Sequence, residues 1–397
     1  MASAGRSGRA SCSDSIDWKP MLPCQRQLFD IPDDVAYLNC AYMSPLTKPA
    51  LEAGVQGLQR KAQPWEITPD KFFSGSEEFR KAAARVLHCS PDCIAIVSSA
   101  GYGIQTAAHN LKAAKGQTIV VLAEQFPSNY YPWERLAEET GAALKIVPWP
   151  EDDDWTAAVL EALTSEAAIV ALPNVHWTSG GRLDLVRIGQ ACRKLGAALV
   201  LDLTQSLGAL PFDVNEVQPD FAVAANYKWL LGPYTTGVLY VAPKWHGGSP
   251  LEEGWIQRAN SRDFSSLILY SDEYDGGARR FDMGERSNFA LLPSAESAMR
   301  QILDWGIAEI SESCGEMNRK LAAAAAELGF SSPAEKLRGP HYLCLRRKTP
   351  IPKELTEALA REKVFVSVRG SSIRVTPHLY NTDADCQRLI ECLRRVA

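Results

Sequence analysis

The sequence predicts an α/β protein built on a mainly parallel sheet flanked by helices, with a smaller α+β lobe at its C-terminal end. Three observations predict it. Short β-branched apolar runs alternate with longer helix-patterned stretches between about residues 93 and 243; the pattern changes after Phe289 to long amphipathic helices; and a set of short strand-like runs with one last helix closes the chain. Alternating strand and helix is the rhythm of βαβ units, whose crossovers set neighbouring strands parallel.

In chain order, the opening MASAGRSGRASCSD carries arginines but no apolar run behind them, so it lacks the stretch of a secretory signal. A flexible arm is expected over residues 1–30, then a segment over 31–50 packing with the small lobe. The large catalytic domain is expected over 51–289 and the small α+β domain over 290–397. The apolar runs are CIAIVSS (93–99), TIVVLAE (118–124), AAIVALPN (167–174), AALVLDL (197–203), DFAVAAN (220–226) and TGVLYVAP (236–243), with helical stretches at 128–140, 155–163 and 185–195 between them. Near-continuous apolar runs of this kind suit strands covered on both faces. Ligands of such sheets gather outside the carboxyl ends of the strands, which makes each polar residue just after a strand a candidate. In the C-terminal lobe, LLPSAESAMRQILDWGIAEI and MNRKLAAAAAELG read as helices, followed by GPHYLCLRR, VFVSVRGSSIRVTP and a helix from Thr382.

Composition narrows the function. At 397 residues, with 46% hydrophobic and 22% charged residues, the chain has the make-up of a folded globular protein. A net charge of -5 without a basic stripe argues against a nucleic-acid partner. No apolar run approaches the roughly 18 residues of a membrane-spanning helix. Cys89 and Cys93, beside His88, lack the second cluster that would complete a zinc site. The other cysteines are scattered and suit free thiols in a reducing cytoplasm, the expected location.

Lys228, in NYKWLLGP, follows an apolar strand directly and so stands at the sheet edge. Its amine can form an imine with an aldehyde; alone, it would read as a solvated surface lysine. Asp202 ends the apolar LVLD, where a buried carboxylate requires a cationic partner, and a protonated pyridine nitrogen is one. Gln205 in DLTQSLG and Asn174 in IVALPN can donate hydrogen bonds to a ring phenolate oxygen, or serve as turn and capping residues. SSAGYG (98–103) opens a helix with small residues, as a phosphate cradle does. It lacks the third glycine of a dinucleotide fingerprint, since Thr106 stands there, so an NAD-dependent oxidoreductase is disfavoured. An aldehyde, a basic ring nitrogen and a single phosphate together describe pyridoxal 5'-phosphate.

The ordered set Asp202-x-x-Gln205, Tyr227-Lys228 and RVTPHLYN (374–381) resembles the class V aminotransferases of the type I pyridoxal-phosphate fold. That family includes cysteine desulfurases, kynureninases and isopenicillin N epimerase-like proteins. The resemblance spans nearly the whole chain and implies a mainly parallel seven-stranded sheet. It implies Lys228 as the Schiff-base lysine, Asp202 on the pyridine nitrogen, Gln205 and Asn174 near the phenolate oxygen, Tyr227 on the phosphate, and Gly101 and Tyr102 in the phosphate loop. Asn174 is also expected beside the substrate. Arg374 corresponds to the anchor for the substrate α-carboxylate.

Departures from the family carry information. Phe126, in EQFPSNYYPW, stands where cysteine desulfurases carry a stacking histidine; it can cover the cofactor ring but moves no proton, which shifts acid–base work to Lys228. No cysteine lies in 364–372, where the desulfurases carry their sulfur-accepting thiol. In GERSN (284–288), Glu285 would repel the neighbouring subunit's phosphate, leaving Ser287 or Asn288 to reach it; Trp255 resembles a tryptophan that crosses the kynureninase dimer interface. The resemblance implies a homodimer acting on a small amino-acid-like substrate, by amino-group transfer or by β- or γ-elimination at carbon–sulfur or carbon–selenium bonds. Amino-acid epimerisation is the alternative. A non-catalytic pyridoxal-phosphate-binding regulator fits less well, because the short N-terminal arm cannot hold a DNA-reading module.

Overall fold

The computed structural model describes residues 22–395. In chain order its elements are β1 (Ala36–Tyr37), α1 (Lys48–Ala62), α2 (Lys71–Leu87), β2 (Ile94–Val97), α3 (Ala100–Asn110), β3 (Thr118–Leu122), α4 (Tyr131–Thr140), β4 (Ala143–Val147), α5 (Trp155–Ala162), β5 (Ala167–Pro173), α6 (Leu185–Leu195), β6 (Ala198–Asp202), α7 (Val214–Val217), β7 (Phe221–Ala225) and β8 (Gly237–Val241). The remainder of the chain supplies α8 (Leu291–Trp305), α9 (Ile307–Ala326), β9 (Leu343–Arg346), α10 (Lys353–Arg361), β10 (Val364–Phe365), β11 (Ser367–Arg369), β12 (Ser372–Val375) and α11 (Asp383–Arg394).

Each of the apolar runs forms a strand of one 7-stranded sheet, ordered β2-β8-β7-β6-β5-β3-β4. Pairings from β7 through β4 are parallel, while β8 lies antiparallel between β2 and β7. This is the mainly parallel, seven-stranded sheet that the resemblance implies. The strand that the apolar pattern does not reveal is β4. It pairs only with β3 and carries Lys145 at its centre, whose ammonium reaches the Ala162 carbonyl at 2.6 Å. An edge strand with a solvated face needs no apolar run.

The helices follow from capping as much as from period. Asp184 accepts from the Arg187 amide at the start of α6, and Gly196 closes that helix at φ 72°. The amphipathic stretch read as one helix through Ile310 is broken by Gly306 at φ 85°, which ends α8 and starts α9. The apolar side of α8 packs on α1 and α2. The small lobe joins the antiparallel sheet β11-β12-β9 to the parallel pair β1-β10, and α9, α10 and α11 cover its core.

Of the expected arm, residues 1–21 lie outside the described residues, while residues 22–30 are pinned rather than loose. The Gln25 amide donates to the Leu379 carbonyl at 2.7 Å, Arg26 pairs with Asp385 at 3.0 Å, and Phe29 is buried against Trp305 and Tyr380. A backbone bond, an ion pair and a buried aromatic ring together hold the stretch in place.

One buried charge cluster ties α2 to the sheet. Arg80, fully buried, donates to the Ile94 carbonyl at 2.6 Å and to both carboxylate oxygens of Asp282, which Arg286 also grips. The Asp282 carboxylate accepts from the Ile96 amide at 2.7 Å as well. Removing one member of such a cluster leaves charge buried without compensation. Asp282→Ala is therefore expected to lower the unfolding free energy by about 3–5 kcal/mol, read from the urea midpoint; a loss below about 1 kcal/mol would show the cluster to be solvated in practice.

Candidate active site

The topology brings loops from six strands to one sheet edge, where they line a cavity of about 210 Å³. Ser98, Ser99 and Gly101 come from beyond β2, Gln125 and Phe126 from beyond β3, and Val175 and Trp177 from beyond β5. Asp202 itself, with Thr204 and Gln205, comes from β6; Tyr227 and Lys228 follow β7; Tyr234 and Thr235 precede the reversed β8. Parallel strands present their carboxyl ends together, and the antiparallel β8 adds its amino end to the same edge.

Lys228 is 6% exposed, with its ammonium 5.5 Å from the ring centroids of both Phe126 and Tyr227. Burial drives its pKa down to about 8, the charge of Asp202 opposing the shift and that of Arg374 adding to it. Asp202 is 7% exposed and forms no salt bridge among the described residues; its carboxylate accepts from the Thr204 amide at 3.0 Å. Burial pushes its pKa up, against the hydrogen bonds from Thr204 and the charge of Lys228. A cation approaching Asp202 inside the cavity would relieve that cost. Burial likewise raises the Tyr227 hydroxyl to about 12, so it stays a hydrogen-bond donor at neutral pH.

The N-terminus of α3 faces this edge because the helix sits close on the sheet. A Cβ on Gly103 would come within 2.5 Å of the Val223 side chain, so only glycine permits the approach. Ser99 caps the helix by accepting from the Tyr102 amide at 3.1 Å, and Gly101 lies on the cavity wall, an arrangement that favours an anion. Gln205 is braced at both ends: its Nε2 donates to the Ala41 carbonyl at 3.2 Å and its Oε1 accepts from the Trp229 indole at 3.1 Å, which leaves one amide hydrogen over. The segment containing Ala41 supports the lysine loop too, since the Ser44 amide donates to the Tyr227 carbonyl at 2.9 Å and the Cys40 thiol to the Lys228 carbonyl at 3.8 Å. An unpaired buried acid, a lysine of lowered pKa and a small-residue helix start fit pyridoxal phosphate.

Other expected residues stand elsewhere. Asn174 is buried at the end of β5 with its Nδ2 on the Leu183 carbonyl at 3.3 Å, and only its neighbours Pro173 and Val175 are on the wall. Burial, with the charge of Glu252 adding to it, raises the pKa of the Tyr102 hydroxyl, and Tyr102 is not among the wall residues. One residue past Gly101, a helix side chain has turned by about 100° from it. Ser287 donates to the Phe72 carbonyl, and Asn288 Oδ1 accepts from the amides of Ala290 and Leu291. Trp255 packs on Phe72, Phe73 and Phe264, away from the cavity. Arg374, 3% exposed, is one layer out: its Nη1 donates to the Trp177 carbonyl at 2.9 Å and its Nε has no partner. Trp177, Thr204, Ser128, Tyr234 and Thr235 are wall residues that the sequence reading does not single out. Trp177 was open to discovery as a strand-end residue, three places past Asn174.

Comparison with known proteins identifies the family and the fold. The aminotransferase class-V family model matches residues 69–389. An uncharacterized aminotransferase, YcbU, of Bacillus subtilis is 25% identical over 376 residues, covering 93% of this chain and 97% of its own. A kynureninase of Bacillus mycoides is 28% identical, covering 87% and 82%, and a probable cysteine desulfurase of Methanothermobacter thermautotrophicus is 24% identical, covering 81% and 83%. Among solved structures, a cysteine desulfurase from Thermococcus onnurineus superposes with a TM-score of 0.78 at 19% identity over 94% of this chain and 96% of its own. The cystine C–S lyase C-DES does so with 0.80 at 18%, over 91% and 98%.

The lowered pKa of Lys228 has a measurable consequence. Only the neutral amine attacks a carbonyl, so below pH 8 the reactive fraction falls and above it saturates. In protein freed of bound carbonyl compounds, trapping of a small aromatic aldehyde on Lys228 with borohydride should rise with a midpoint near pH 8. Peptide mass analysis reads the yield, and a midpoint near that of the remaining lysines would contradict the assignment.

Proposed function

The chain belongs to the aminotransferase class-V family and is a pyridoxal-phosphate-dependent enzyme, and on that basis we propose that it works at the amino group of a small amino acid from the cavity around Lys228. The observation that carries this reading is the burial of Lys228 and Asp202 at one sheet edge without a direct bond between them. Pyridoxal phosphate, when bound, supplies an electron-accepting ring that stabilises negative charge at the substrate α-carbon.

In this reading Lys228 tethers the cofactor and afterwards carries the α-proton; its pKa of about 8 leaves a useful neutral fraction near physiological pH. Asp202 holds the ring nitrogen protonated. The amides at the start of α3, with Gly101, and the Tyr227 hydroxyl hold the phosphate; Gln205 offers its remaining amide hydrogen to the phenolate oxygen. Phe126 covers the ring and helps to exclude water. Arg374 orients the substrate by its carboxylate, a charge-assisted contact worth about 1.5–3 kcal/mol. Asn174 supports the substrate side from just behind the wall.

The wall chemistry favours amino-group transfer or elimination from the β- or γ-carbon. No cysteine or histidine is among the wall residues, and Cys40, the thiol nearest Lys228, is fully buried with its pKa driven up by that burial. A reaction that parks sulfur on a protein thiol finds no acceptor among the wall residues. Epimerisation is the second reading, but it needs a second acid–base group, and beyond Asp202 and Lys228 the wall offers only the tyrosines 227 and 234.

A homodimer is part of the proposal. Leu51, Val55 and Leu58 are exposed along α1 and so are Ile268, Leu269 and Tyr270, more apolar surface than an isolated subunit needs. Cytoplasmic location is proposed from the free thiols of the described cysteines. Among the described residues no helix is long and apolar enough to cross a membrane.

The purified protein should show the visible absorption of lysine-bound cofactor, and Lys228→Ala should lose it. A panel of amino acids with sulfur and selenium analogues, followed for keto acid, ammonia and stereochemistry, then decides the reaction. Asp202→Asn should keep the fold and the tethered cofactor yet lower kcat by roughly 10²-fold or more, the equivalent of a lost buried ion pair. Unchanged turnover in that variant would remove Asp202 from the mechanism.

A further inference from the structure

We propose that Trp177 is the positioning residue that presents Arg374 to the cavity, so that recognition of the substrate carboxylate depends on this indole. The proposal rests on the reading of Arg374 as the carboxylate anchor. Trp177 lies on the cavity wall and Arg374 does not, yet the two are joined by two contacts. The Trp177 carbonyl accepts from Arg374 Nη1 at 2.9 Å and also from the Tyr342 hydroxyl. The guanidinium carbon of Arg374 lies 5.6 Å from the centroid of the indole.

A cation–π contact holds a guanidinium without using any of its N–H groups. Arg374 is buried, has no carboxylate partner among the described residues, and keeps its Nε without a partner. A buried cation in that condition is held ready for an anion, because its desolvation is uncompensated until one arrives. The indole is itself fixed at its other end: its Nε1 donates to the Glu124 carbonyl at 2.7 Å. Glu124 sits at φ 53°, a left-handed conformation that is unusual for a side-chain-bearing residue, just before the loop of Phe126. The Phe126 ring meets the indole edge-on at 5.4 Å. Trp177 thus links the loop over the lysine to the small-lobe strand that carries Arg374. A substrate carboxylate drawn to Arg374 is thereby set in register with Lys228.

The test compares an acid with its uncharged analogue. From a panel of the common amino acids, the one that perturbs the visible spectrum of the holoenzyme at the lowest concentration is titrated beside its carboxamide, with wild type, Trp177→Ala, Trp177→Phe and Arg374→Ala. Misplacement of the anchor should weaken the acid by roughly ten- to hundredfold in Trp177→Ala while the carboxamide changes by less than about threefold, with Trp177→Phe intermediate because it keeps a ring but loses the bond to Glu124. Equal weakening of acid and carboxamide, or none in either, overturns the proposal. Should Trp177→Ala fail to fold, the same criterion applied to Trp177→Phe decides. If Arg374→Ala leaves the acid unaffected, the anchor reading itself fails; if Arg374→Ala is selective for the acid and the Trp177 variants are not, only the role of Trp177 falls.

Discussion

The site depends on the cost of burying Lys228 and Asp202 in one cavity without letting them touch. Both charges lose hydration, and neither recovers it through a direct bond, so each is shifted toward its neutral form. A parallel sheet makes this arrangement possible. It delivers the ends of adjacent strands to one line at a spacing of about 4.8 Å, and β6 and β7 are adjacent, so the acid and the lysine loop are neighbours by construction. Their backbones are held by the sheet and by the segment around Ala41 and Ser44, which spares the side chains for chemistry.

Titratable groups elsewhere in the molecule have been put to a different use. His176 stacks on Trp155 and bonds the Ala123 carbonyl, and burial takes its pKa down to about 4. His341 lies beneath Gln205, bonded to its carbonyl at 2.7 Å, and burial lowers it to about 4 as well. These imidazoles are neutral at physiological pH and act as shaped hydrogen-bonding rings under the cavity floor. Neither imidazole is among the wall residues of the cavity, where Lys228 and Asp202 stand.

How much could be read from sequence follows from what kind of signal each feature leaves. The central strands were legible because both faces are covered, and the residues at their ends followed from topology; Lys228, Asp202, Gln205, Tyr227 and Gly101 all reach the same cavity. The edge strand β4 was not, since a strand with one wet side and a central lysine has no apolar run. Asn174 and Tyr102 occupy the right loops, but a rotation of one residue along a turn sends a side chain away from the wall, and spacing alone does not carry that rotation. Trp177 was passed over because an aromatic beside a strand end reads as packing until its partner, remote in sequence, is known.

The pairing of β1 with β10 makes the site a late product of synthesis. Ser367 bonds Asn39 across 328 residues of chain, a wait of about 16–65 s at a ribosomal pace of roughly 5–20 residues per second. Until then the segment that braces Gln205 and the lysine loop has no strand to lie against. The large sheet can be complete while its cavity is still open on one side. A nascent chain therefore carries Lys228 through the 139 residues that separate it from Ser367 before the segment that braces its loop has a strand to lie against.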